Sequence, residues 1–159
     1  MRLQKNQLAF LRDLAESQVR YVAIGGMAMQ AHGIERETID LDLLIDRADA
    51  NARLVREVLG RAVGRDPQII PLWRLTTENQ KTELWPIAAI DVLTSINGMA
   101  FDDVYERRSI VELDGLEVSV MGIADLIVAK EISSRSGNDD VAHVRDRADI
   151  DLLRQLNTD

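Results

Sequence analysis

The segment YVAIGGMAMQAHGIERETIDLDLLID, residues 21–46, constrains the fold more than any other part of the chain. Residues 20–24, RYVAI, read as a short buried strand leading into it. Gly25 and Gly26 end that strand. MAMQAH then has the composition of a short helix, with Gly33 placed to close it. Residues 38–45, TIDLDLLI, read as a second strand. Alternation sends Ile39, Leu41 and Leu43 to one face and Asp40 and Asp42 to the other. Two carboxylates beside a core repel each other and are costly without a cation to pair them.

A third carboxylate in the same setting comes later, Asp91 between Ile90 and Val92. Three such groups suit a hard cation such as magnesium, which takes oxygen ligands and keeps positions open for phosphate. Each piece alone is ambiguous. Asp-x-Asp is common on surface strands, and a Gly-Gly after a strand also serves as an ordinary turn. Glycines do allow close backbone approach to a phosphate and leave free N–H groups at a helix start. The dinucleotide fingerprint and the phosphate-loop motif are both absent.

The remaining chain reads as one α+β domain spanning 1–159. Residues 1–18 hold an N-terminal helix, 20–121 a sheet core with the site, and 122–156 two C-terminal helices. Asp49 is placed to cap a helix through Val63. Residues 68–76 and 83–94 read as strands, with Pro71 and Pro86 marking edges or bulges. Residues 108–121 read as a hairpin turning at Asp114-Gly115. Residues 122–132 read as a helix, 133–138 as a loop, and a last helix starts near Asp140. At 159 residues, 46% of them hydrophobic, the chain has material for a core and is not of disordered composition.

The chain has no cysteine, so disulfides and zinc–cysteine sites are excluded, and a cytoplasmic location is expected. No apolar run reaches the roughly 20 residues of a membrane helix, and no membrane association is expected. The net charge of −8 opposes general nucleic-acid binding. Residues 51–82 depart from this, with six basic groups against three acidic ones, a net +3 that leaves −11 elsewhere. A solvated helix face explains that segment more simply than a rim for a triphosphate or an RNA end.

The order of elements carries more than the pieces. Strand, Gly-Gly, helix, strand with Asp-x-Asp, and a later strand with one Asp resembles the nucleotidyltransferase superfamily of the DNA polymerase beta type. Within it, IGGMAMQAHGIERETIDLDLLI is similar to the Gly-Gly…Arg-x-Thr-x-Asp-x-Asp block of minimal and AbiEii-like bacterial members. VSVMGIADLIVAKEI and VRDRADIDLLRQL are similar to their tail, so the likeness covers most of residues 20–156. Residues 51–80 match nothing specific.

The resemblance implies a nucleotidyltransferase-type mixed sheet flanked by helices. It implies that Gly25 and Gly26 cradle the β- and γ-phosphates of an NTP. Asp40, Asp42 and Asp91 would be both metal ligands and catalytic groups for two Mg2+ ions, with Asp91 near the acceptor hydroxyl. Arg36 and Thr38 would reach the nucleotide, although a structural salt bridge for Arg36 and a plain strand opening for Thr38 explain them equally. Lys130 would meet the triphosphate or else lie in solvent. Arg145 and Asp146 read as structural ion pairs. His32 reads as a helix end, and with His143 far away in sequence no zinc site is expected. Trp73 and Trp85 read as core, with base stacking the lesser alternative.

The acceptor is left open as a small molecule, a tRNA or a protein. The short chain implies a small acceptor, a homodimer or a partner protein, as in a toxin–antitoxin pair. Two other functions stay in view: a non-catalytic nucleotide-binding or antitoxin-like module of the same fold, and an aminoglycoside or lincosamide nucleotidyltransferase.

Overall fold

In the computed structural model, which describes residues 1–135 and 140–158, the chain forms a mixed six-stranded sheet flanked by helices. The first half contains α1 (Lys5–Glu16), β1 (Tyr21–Ile24), α2 (Gly25–Ala31), β2 (Leu41–Ile45) and α3 (Asp49–Val63). A short 3-10 turn at Pro67–Ile69 leads to α4 (Trp73–Thr76), β3 (Lys81–Glu83) and β4 (Ile90–Leu93). Next come α5 (Phe101–Glu106) and the hairpin β5 (Ser109–Leu113) and β6 (Leu116–Val120). The packed pair α6 (Ile123–Arg135) and α7 (Asp140–Asn157) completes the fold.

The sheet order is β3-β4-β2-β1-β6-β5. β2 runs parallel to β4, β1 runs parallel to β6, and the other neighbours are antiparallel. β1 and β2 are central, which is why β1 is buried throughout and Leu41, Leu43 and Ile45 have almost no exposure. The one break in that apolar surface is Asp42, half-buried between Leu41 and Leu43.

Gln7 fastens the site strands from outside the sheet. It is fully buried on α1, and its Nε2 donates to Ile39 O at 2.7 Å and to Ala89 O at 2.8 Å. Its Oε1 accepts from the backbone N–H of Gln4 at 2.8 Å. One amide thereby joins the helix start to the segments that lead into β2 and β4. The hairpin turn takes the form the sequence predicts: Asp114 at φ 51° and Gly115 at φ 78° suit a tight two-residue connection.

Several elements differ from the sequence expectation. Residues 68–76 form no strand. Pro71 lacks the N–H a ladder needs, its carbonyl accepts from Arg74 N, and only Leu75 of α4 is buried. Of the expected strand 83–94, only Glu83, the last residue of β3, and Ile90–Leu93 of β4 join the sheet, with a turn through Trp85 and Pro86 between them. The strand expected from 38 begins at Leu41, leaving Asp40 in the approach to it. Ala48, not Asp49, is the N-cap of α3, and the Asp46 carboxylate accepts from its N–H at 2.9 Å. Trp73 and Trp85 are surface residues, 55% and 71% exposed, because the strands that would have buried them do not form. α6 extends to Arg135, three residues beyond its expected end. The rest of the expected 133–138 loop and the His143 side chain lie outside the described residues. Among the described residues no helix is long and apolar enough to cross a membrane.

Candidate active site

Strand register builds the acidic centre. Asp42 stands opposite Ile24 on β1 and opposite Asp91 on β4. The pairing with Ile24 brings Gly25, the next residue, against the Asp42 side chain. Gly25 has φ +65°, and a Cβ there would fall 2.8 Å from Asp42 Oδ2. Gly26 follows in the first turn of α2, where a Cβ would fall 2.8 Å from Thr38 Cβ and Oγ1. Both positions require glycine, one for conformation and space and the other for space alone. The first N–H groups of α2 have no partner within the helix and open on the same side.

Burial raises the Asp42 carboxyl to about 6, helped by the negative charges of Asp91 and Asp40 and opposed by Lys81. A hydrogen bond with Asp91 also favours the protonated form. Such a pair is under-neutralised at neutral pH, the condition a divalent cation relieves.

A cleft of about 820 Å³ opens beside these carboxylates. Gly25, Gly26, Thr38, Asp40 and Asp42 line one side, and Arg36, Lys130 and Arg145 supply cations. The structure therefore gathers seven of the eight site residues expected from sequence around one cavity, with Asp91 next to Asp42 in the sheet. Among the described residues no three acidic or histidine side chains are gathered closely enough to hold a metal ion together. The adjacent pair Asp42 and Asp91 fits magnesium, which binds through one or two carboxylates and completes its shell with water and phosphate.

The basic side is held by α7. Arg36 pairs with Asp149, and Lys130 Nζ lies 3.2 Å from Asp149 and 3.3 Å from Asp146. Lys130 is mostly buried, so the solvent-lysine reading is set aside. Burial lowers the pKa of Lys130, assisted by the neighbouring Arg36, and burial likewise lowers that of Arg36, assisted by Arg145. Arg145 donates to Glu37 O at 3.1 Å, and it is Lys130 that Asp146 pairs with. Asp149 and Gln7 were not singled out by sequence. The Asp-x-x-Asp spacing on α7 is the signal that points to Asp149, whereas an isolated glutamine gives none.

The basic excess of residues 51–82 does not form a rim here. Arg53 pairs with Asp49 and Arg61 with Asp13, both at the surface, and Lys81 alone reaches the carboxylates. His32 caps α2 and its ring bonds Met121 O at 2.8 Å, away from acid–base work.

Residues 5–159 match the family described as "Nucleotidyltransferase of unknown function (DUF6036)". The chain belongs to this nucleotidyltransferase family. Among curated proteins, none matches it. Membership accords with the sequence resemblance and with the mixed sheet, and in this nucleotidyltransferase the acidic centre, the Gly-Gly turn and the basic wall share one cleft.

Proposed function

We propose that this protein is a magnesium-dependent nucleotidyltransferase that moves an NMP from an NTP to an acceptor hydroxyl or phosphate and releases pyrophosphate. The observation that carries this reading is the in-register pair Asp42–Asp91 beside a cleft with a Gly-Gly turn and three cations. Asp40, Asp42 and Asp91 would hold the magnesium, two ions in the arrangement the resemblance implies. Bound there, magnesium supplies charge neutralisation at the phosphates and at the attacking oxygen. The backbone N–H groups at Gly25 and Gly26 and the Thr38 hydroxyl orient the β- and γ-phosphates. Arg36, Lys130 and Arg145 counter the charge that collects on the leaving pyrophosphate. Asp91 receives the acceptor proton as the acceptor oxygen bonds to the α-phosphorus and the bond to pyrophosphate breaks.

One observation favours a second reading, a nucleotide-binding module without transfer. Asp146 and Asp149 already occupy Lys130 and Arg36, the cations a triphosphate would meet. A single assay separates the two. The protein is incubated with magnesium and each labelled NTP, in the presence of tRNA, protein or aminoglycoside acceptors. Pyrophosphate release and label transfer, both lost in Asp42→Asn, support the enzyme. Binding without transfer supports the module, and failure to bind any NTP with magnesium present sinks both. A toxin–antitoxin role is supported if transfer to tRNA or protein stops on adding the product of a neighbouring gene.

A further inference from the structure

Lys81 lies on the three-residue edge strand β3, beside β4. Its Nζ is 3.5 Å from Asp91 Oδ2 and 3.1 Å from Glu83 Oε1. Glu83 stands opposite Asp91 in the register, so the ammonium is shared between two carboxylates on neighbouring strands. The Lys81 side chain is half exposed and Asp91 much less so. This ammonium is therefore already beside Asp91, at the end of the acidic row farthest from the Gly-Gly turn. No cation of the chain pairs with Asp40 or Asp42 among the ion pairs of the described residues.

We propose that Lys81 is a built-in counter-ion of the acceptor-side metal position, a positioning residue that competes with a divalent ion for Asp91 and yields to it by moving onto Glu83. The inference rests on the metal-dependent reading given above. Two positive charges cannot share Asp91 at close range without mutual repulsion, so the acceptor-side ion binds weakly while Lys81 remains there. Asp40 and Asp42 make no direct ion pair with Lys81, whose charge acts on Asp42 only through space. A divalent ion at Asp91 would therefore be held more tightly once the Lys81 charge is removed.

The test measures binding of Mn2+ alone, without nucleotide, by the electron paramagnetic resonance of free Mn2+. Lys81→Met and Lys81→Gln should both bind Mn2+ about tenfold more tightly than wild type, from the loss of one like charge near the ion. Lys81→Arg keeps the charge and should behave as wild type. The substitutions lie on an exposed edge, and calorimetry checks that each variant folds. Asp42→Asn should abolish Mn2+ binding in both the wild-type and Lys81→Met backgrounds. If it does not, the metal lies elsewhere and the site reading falls together with this proposal. If it does, and Lys81→Met and Lys81→Gln bind Mn2+ no more tightly than wild type, the Lys81 proposal alone is overturned.

Discussion

Asp42 is the residue on which stability and chemistry conflict. Its carboxyl is raised from 3.8 to about 6 in the folded protein, so the folded state holds the proton more tightly than the unfolded chain does. The associated stability is complete below about pH 4 and is lost as pH rises through about 6. The metal-free protein should therefore lose thermal stability between those values and level off above them. Asp42→Asn removes the slope and should stabilise the metal-free protein at pH 7.5 by ~1–2 kcal/mol while abolishing transfer. A pH series of calorimetric scans checks this, and an unchanged slope in the variant would place the titration on another group. At Gly25 the conflict is steric. Gly25→Ala must adopt φ +65° with a Cβ 2.8 Å from Asp42. We expect a loss of about 1–2 kcal/mol in stability and no measurable NTP binding in isothermal titration.

At the scale of elements, two clamps hold the site together. α1 reaches it through Gln7, whose amide bonds both Ile39 O and Ala89 O. Gln7→Leu leaves the Ile39 carbonyl without its donor and the Gln4 N–H without its acceptor, while Ala89 O keeps the Leu41 N–H, and urea unfolding should show a loss of about 1–2 kcal/mol. α7 reaches it through Asp149. Asp149→Ala leaves the largely buried Arg36 guanidinium without its carboxylate, a loss of about 3 kcal/mol by the same measurement. A midpoint unmoved by Asp149→Ala would show that α7 does not anchor the α2–β2 connection. Sequence reading found the elements in which hydrophobic period and turn chemistry agree, namely β1, the β5–β6 hairpin and the helices α3, α6 and α7. It failed where a few apolar residues lie beside proline. Ile69, Ile70, Leu72 and Trp73 look like a short apolar strand, yet no neighbouring strand is available to pair with Pro71. Nothing local marks the short α5 as helical, and its single buried residue, Val104, depends on tertiary contacts.

At the scale of the molecule, the candidate site is legible as a cluster because most of its residues fall in one short segment and the sheet order brings Asp91 beside Asp42. Asp91 is distant in sequence from Asp42 but adjacent to it through the β2–β4 pairing. The contribution of α7 was less legible, since whether Lys130 faces solvent or acid depends on how two helices pack. The missing strands also decide the surroundings of the two tryptophans, the only ones in the chain. Both are more than half exposed in the folded protein. Their indole emission in the native state should therefore already lie near the wavelength of tryptophan in water, and denaturant should shift it little. Intrinsic fluorescence would then be nearly silent to unfolding. Trp85, two residues beyond Glu83, would instead serve as an optical reporter of whatever molecule comes to rest against that turn.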